Sequence, residues 1–163
     1  MTIAVPPRFT LWAPVLLGSF LFVHCAHDIY QERANAVKNH TEAFYTHLKA
    51  NRVESAVREN EQIEAMAAEM AQTVRKRAGQ QGSTGVEREF ALMKTTNEAA
   101  AANWLALGQY FAIKKQYAQA KATYQRVINT YTNPTERSYR EQAARALEDL
   151  NILNPPTTSS TNQ

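Results

Sequence analysis

Apolar residues recur at alternating four- and three-residue spacings from Tyr30 onward, through Ala34, Val37, Thr41, Phe44 and Leu48. That period places them along one face of an α-helix, with charged and amide side chains between them. The face slips around Lys49–Arg52 and resumes as Ala56, Asn60, Ile63, Ala67, Met70 and Val74, with Val53 and Val57 displaced to one side. Asn51 followed by Glu54 has the form of a capping box, which would start a second helix there. The spacing therefore predicts a hairpin with helices near 28–49 and 52–78. A single long helix over 26–78 is the alternative, because neither proline nor glycine interrupts the slip.

Glycines at 79, 82 and 85 make the clearest break in the pattern and mark 79–85 as a connector. A phosphate loop would need a Gly-Lys-Ser/Thr ending and a preceding strand, and both are missing. Thr84 with Glu87 offers a cap for the next helix. Phe90 and Met93 give a short apolar face over about 86–94, and Thr95 with Glu98 offers another restart near 96. Unbroken helix from 86 to 114 is the competing reading.

From Ala99 to Tyr131 the rhythm becomes one of large against small residues. Trp104, Leu107, Gly108 and Phe111 fall on a first helix; Tyr117, Ala120 and Tyr124 fall on a second, with Lys114-Lys115-Gln116 at the turn. Gly108 and Ala120 would let two backbones approach while the aromatic rings fill the groove beside them. This order resembles the tetratricopeptide repeat, a helix pair that packs on neighbouring pairs and presents a surface to a partner. The resemblance spans 101–134 and, loosely, 135–152. Val127 stands where that family has a small residue, and the family's proline arrives late, at Pro134. Asn133, Pro134 and Glu136 nonetheless form a coherent helix start. Tyr139, Ala143, Ala146, Leu147 and Leu150 then mark one side of a final helix. One such unit is not a stable solenoid, since three or more are usually needed. The helices over 26–78 would act as degenerate repeats, or another protein would supply the missing surface. The expected fold is all-α, built from antiparallel hairpins, either as a repeat-like α-α superhelix over 86–153 or as a divergent helical bundle.

Composition supports helix and adds little about partners. Among 163 residues, 18 basic and 15 acidic side chains leave a formal charge of +3, and the two signs are interspersed. Nucleic-acid binding would gather the basic residues on one face, so no nucleic-acid partner is expected. Arg75-Lys76-Arg77 is the one tight basic run, and the helix end expected beside it accounts for it.

Residues 1–25 differ from the rest. Arg8 precedes Phe9–Val23, which carries no charge but falls short of the roughly 20 residues that cross a bilayer comfortably. The order of regions fits a secretory signal. Cys25, the single cysteine, stands at its polar boundary. Leu21-Phe22-Val23-His24-Cys25 resembles the processing site of bacterial lipoproteins, where the cysteine is lipidated and becomes the new N-terminus. His24 departs from that pattern, which favours a small residue. The resemblance implies lipidation at Cys25 and a body in the bacterial cell envelope, and Ala26 after the cysteine points to the outer membrane, facing the periplasm. Plain signal cleavage, or an uncleaved anchor in the inner membrane, are the alternatives.

Catalytic chemistry finds little support. Glu59, Glu61 and Glu64 share part of a helix but read as solvated carboxylates, and no nucleophile-histidine-acid set is present. His24, Cys25 and His27 straddle the processing point. His40 and His47, two helical turns apart, would need Glu42 or a distant carboxylate to hold a metal. The expectation is a non-enzyme without a cofactor. It would be a lipid-anchored helical adaptor that binds a protein or peptide near Trp104–Tyr131. The alternative is a structural subunit of a membrane complex held by an uncleaved N-terminal helix. The tail over 154–163, with two prolines and a run of Thr and Ser, is expected to be disordered.

Overall fold

Hydrophobic faces separated by two short turns produce hairpins, and hairpins are what the chain contains. The computed structural model describes residues 29–78 and 84–153. The segment expected to be a signal, Cys25 and most of the glycine connector lie outside those residues, as does the tail over 154–163. Within them run α1 (Ile29–Lys49), α2 (Val53–Arg77), α3 (Thr84–Ile113), α4 (Tyr117–Thr130), a 3₁₀ turn (Pro134–Glu136) and α5 (Arg137–Leu153). No strand occurs among the described residues. The fold is an all-α bundle of antiparallel hairpins, and α1 and α2 are separate helices.

The break between α1 and α2 has a different cause from the expected capping box. Asn51 adopts φ 55°, the left-handed conformation, and closes α1 instead of starting α2. The Arg52 N–H donates to the His47 carbonyl at 2.9 Å and the Asn51 N–H to the Leu48 carbonyl at 3.0 Å. This is a Schellman closure, which satisfies carbonyls that the helix end leaves unpaired. Arg52 stands at the start of α2 without a side-chain cap. The turn between α3 and α4 repeats the device. Lys115 has φ 59°, the Gln116 N–H donates to the Phe111 carbonyl at 2.8 Å, and the Lys115 N–H donates to the Ala112 carbonyl at 3.0 Å. Ala56 and Ala120 then occupy the same place past each turn, as do Ile63 and Val127, and all four are fully buried.

Side-chain pairings fix how the hairpins stack. Asn60 of α2 meets Asn103 of α3 while Met70, further along α2, meets Thr96, earlier in α3, so those helices run antiparallel. Arg33–Glu89 and Asn51–Tyr110 join α1 to α3 in parallel. α3 touches every other helix, and α1 and α5 flank it without packing on each other's backbone. The result is one layer of α1, α3 and α5 over a second of α2 and α4. Burial, reinforced by the Tyr139 phenol, lifts the Tyr45 hydroxyl above its ordinary pKa.

α3 is one helix of 30 residues, so the expected restart near 96 does not occur. Thr95 and Thr96 both donate their hydroxyls to the carbonyl of Leu92, at 3.0 and 2.7 Å, the in-helix alternative to capping. Packing also favours continuity, because Thr96 and Ala100 are buried. The core runs through Phe44, Ile63, Met70, Leu107 and Val127, each almost fully buried. Complete burial of one such side chain contributes about 1.5–3 kcal/mol. At its centre the Asn103 amide donates to the Asn60 side-chain oxygen at 2.9 Å, and the Asn60 amide donates to the Ala100 carbonyl at 3.1 Å. Asn60 therefore belongs on the apolar face because its polar atoms find partners inside the bundle.

Candidate functional site

The residues of the Trp104–Tyr124 pattern converge between α3 and α4. Trp104, Leu107, Phe111, Ala120 and Tyr124 are buried, Tyr117 opens α4 half-buried, and Gly108 lies directly under the Tyr124 ring. A Cβ built on Gly108 would sit 2.4 Å from Tyr124 Cε1 and 2.7 Å from Cδ1. Only a residue without a side chain permits that approach. Burial and the nearby Asp149 carboxylate raise the Tyr124 pKa, which ties the ring to α5 as well.

Trp104 leads outward from this core to a cluster that crosses three elements. Its indole N–H donates to Glu64 Oε1 at 2.8 Å. The Tyr131 hydroxyl donates to the same oxygen at 2.6 Å, and Arg126 Nη2 to Glu64 Oε2 at 2.7 Å. The Arg126 guanidinium lies 4.0 Å from the centroid of the Trp104 ring, close enough for cation-π attraction. Glu64 is thus a hub and not the solvated carboxylate its neighbours in sequence suggest. Three donors, from Trp104, Tyr131 and Arg126, share its two oxygens. Burial first, then the hydrogen bond and charge of Glu64, push the Tyr131 pKa far above 10.0, so this phenol remains a donor. The sequence signal for Glu64 was slight: it stands between Asn60 and Ala67, at the edge of the buried stripe of α2.

Beside the cluster, Glu64, Ala67, Ala68 and Ala71 of α2 form one wall of an open cavity of about 290 Å³. Asn97 of α3 lies at its side, and Tyr131, Asn133 and Glu136 complete it. Glu136 is 2% exposed. As expected from Asn133-Pro134, it returns its carboxylate to the Asn133 backbone N–H, at 3.2 Å, and it also takes the Asn133 side-chain amide at 3.3 Å. The helix it starts is the 3₁₀ turn, from which α5 continues.

The other candidate residues are placed differently. Glu59 of α2 meets both histidines of α1, at 2.7 Å from His40 Nδ1 and 3.8 Å from His47 Nε2. Glu42 turns instead toward Lys38, at 3.7 Å. Among the described residues no group of three or more His, Cys, Asp or Glu side chains is disposed to hold a metal ion. Glu61 is exposed, and Arg75, Lys76 and Arg77 are exposed in the last turn of α2. No described helix is long and apolar enough to cross a membrane.

Fold and site together define a class, an all-α bundle of antiparallel hairpins with a polar cluster and cavity at the junction of α2, α3 and α4. No protein-family model, no curated protein and no solved structure matches the chain.

Proposed function

We propose that the protein is a membrane-anchored extracytoplasmic helical adaptor, tethered through Cys25, that holds a protein or peptide partner against the α3–α4 hairpin. One observation carries the reading: a concavity with Glu64 and Arg126 in its walls opens beside Trp104–Tyr131, where helices meet. Sites on helices are held more firmly than sites on loops, which suits recognition. The twin Schellman hairpins support a tetratricopeptide-like ancestry for the stack. α1 and α2 serve in it as the degenerate unit, although at 21 and 25 residues they are longer than a repeat of about 34 residues would allow. Lipidation at Cys25 would place the body in the bacterial envelope, at the outer membrane.

Capture from detergent-solubilised envelopes tests the proposal. A reproducible partner that cross-links to the α3–α4 surface supports it; a monomer that retains no partner refutes it. Intact mass and N-terminal sequencing test the anchor, and an unmodified chain beginning at Met1 would overturn it. The structural-subunit reading draws on a different feature. Ile113, Ile152 and Leu153 are 72–80% exposed at the C-terminal ends of α3 and α5, an apolar end that a neighbouring subunit would cover. Loss of a complex on replacing residues 1–25 by another lipid anchor would favour that reading.

A further inference from the structure

One end of the bundle brings together the start of α1, the end of α2 and the start of α3. The Tyr30 hydroxyl donates to the Gly85 carbonyl at 3.2 Å, and a Cβ built on Gly85 would lie 3.7 Å from Arg77 Nη1. Arg33 joins Glu89 of α3 to Glu69 of α2, and the Arg88 guanidinium lies 4.6 Å from the Tyr30 ring centroid. At this junction Arg75, Lys76 and Arg77 are all exposed, and no carboxylate follows Glu69 in α2. Ile29, the first residue of α1, and Phe90, within two turns of the start of α3, are each 52% exposed. A helix end accounts for cations in its last turn but not for exposed apolar side chains on its two neighbours. Cations beside apolar groups match an anionic phospholipid surface, whose phosphates meet the first and whose acyl boundary meets the second.

Chain length selects this end over its opposite. Ile113, Ile152 and Leu153 make the far end the more apolar, but α1, at 21 residues, holds it about 30 Å away. Ile29 stands four residues after Cys25, a reach of at most about 14 Å. A chain held at a bilayer up to Cys25 therefore keeps Arg75, Lys76 and Arg77 near the headgroups, where screening is incomplete. The exposed carboxylates of the same end, Glu32 and Glu87, lie in the first turns of α1 and α3, where the helix N-termini offset their charge. We propose that this end of the bundle lies against an anionic phospholipid surface, with Arg75, Lys76 and Arg77 at the phosphates and Ile29 and Phe90 at the acyl boundary. The proposal rests on the anchor reading in that the chain before Ile29 is held at a bilayer. It turns the α3–α4 turn, at the opposite end, away from the lipid.

The test uses the protein purified from detergent-solubilised envelopes with its N-terminal anchor. It is reconstituted in vesicles of phosphatidylcholine alone, or of phosphatidylcholine with phosphatidylglycerol, and recovered by flotation. A water-soluble amine-acylating reagent marks accessible lysines, and mass spectrometry reads Lys76 against Lys49 and Lys115, which are exposed at the far end. The ratio within one molecule cancels vesicle sidedness. Lys76 labelling is expected to fall about fivefold in the anionic vesicles relative to the neutral ones, the effect of one cation at such a surface. It should recover in about 1 M salt, where screening is strong. Arg75→Gln combined with Arg77→Gln, both at exposed positions, is expected to restore most of the labelling, and Phe90→Ser to restore part of it. A chain that floats with both vesicles while Lys76 is labelled equally in both would overturn the proposal and leave the anchor reading intact. Protection of Lys49 or Lys115 in place of Lys76 would do the same. A chain that floats with neither would overturn both.

Discussion

Replacing Gly108 by alanine sets two effects of opposite sign against each other, and the geometry decides between them. In an exposed helix interior the change is favourable by about 0.8–1 kcal/mol, because glycine loses more backbone freedom on folding. Here the new methyl group would meet Tyr124 Cε1 at 2.4 Å, Cδ1 at 2.7 Å and Cζ at 3.0 Å, whereas carbon atoms pack best at about 3.5–4.0 Å. The ring has little room to retreat, since Tyr124 is 2% exposed and borders both α3 and α5. Overpacking of this kind costs about 1–3 kcal/mol, and an overlap of more than an ångström against a rigid ring belongs in the upper part of that range. The net expectation is a loss of about 1–2 kcal/mol, or a fall in Tm of about 3–8 °C for a domain of this size. Thermal and urea unfolding followed by far-ultraviolet circular dichroism measure it. The decisive comparison is the Tyr124→Ala background, where the ring is gone. There Gly108→Ala is expected to stabilise, because the propensity gain remains and the methyl group fills part of the void. A rise in Tm on Gly108→Ala in the wild-type background, or an equal loss in both backgrounds, would refute the close-approach argument.

Lys115 holds φ 59° without the freedom of glycine, so Lys115→Gly is expected to raise stability by about 1 kcal/mol, read as a higher urea midpoint at unchanged slope. Asn51→Gly should gain less, because it forfeits the 2.9 Å hydrogen bond that the Tyr110 hydroxyl donates to Asn51. The Tyr131 pKa is raised on folding, so its contribution is complete below pH 10.0 and is lost as pH rises above that value. Tyr131→Phe should accordingly flatten the alkaline loss of stability by up to about 1.4 kcal/mol per pH unit; parallel wild-type and variant curves between pH 10 and 11 would contradict this. Glu64→Gln replaces one acceptor oxygen by an amide that faces donors, and should cost about 1–3 kcal/mol while moving the Trp104 indole N–H signal. An unchanged indole resonance would mean that Glu64 is not its partner.

Local periodicity was enough to place the helices. The four-three spacing of Phe44, Leu48, Ala56, Ile63 and Met70 names residues that are buried, because a helix has one face to bury and its period is set by the backbone. The helix break near Lys49–Arg52 was legible too, but its mechanism was misread. Asn serves both as an N-cap and in the left-handed C-terminal position, and only the observed φ distinguishes these. Thr95 raises the same ambiguity. Its hydroxyl can cap a new helix or bond back within an old one, and burial of Thr96 and Ala100 against α2 decides for continuity.

The large-small order from Trp104 to Tyr124 belongs to the sequence by itself, since a glycine and an alanine set among aromatic residues announce a close helix crossing whatever the rest of the chain does. What the outer edge of that pair does was decided only in three dimensions. Glu64 reads as one of several surface carboxylates until Trp104, Tyr131 and Arg126 arrive from α3, from the end of α4 and from α4 itself. Hydrophobic period and helix caps act within a few residues of each other and so are written locally. The meaning of a charge depends on which donors and cations the fold brings beside it, and those come from segments far apart in the chain.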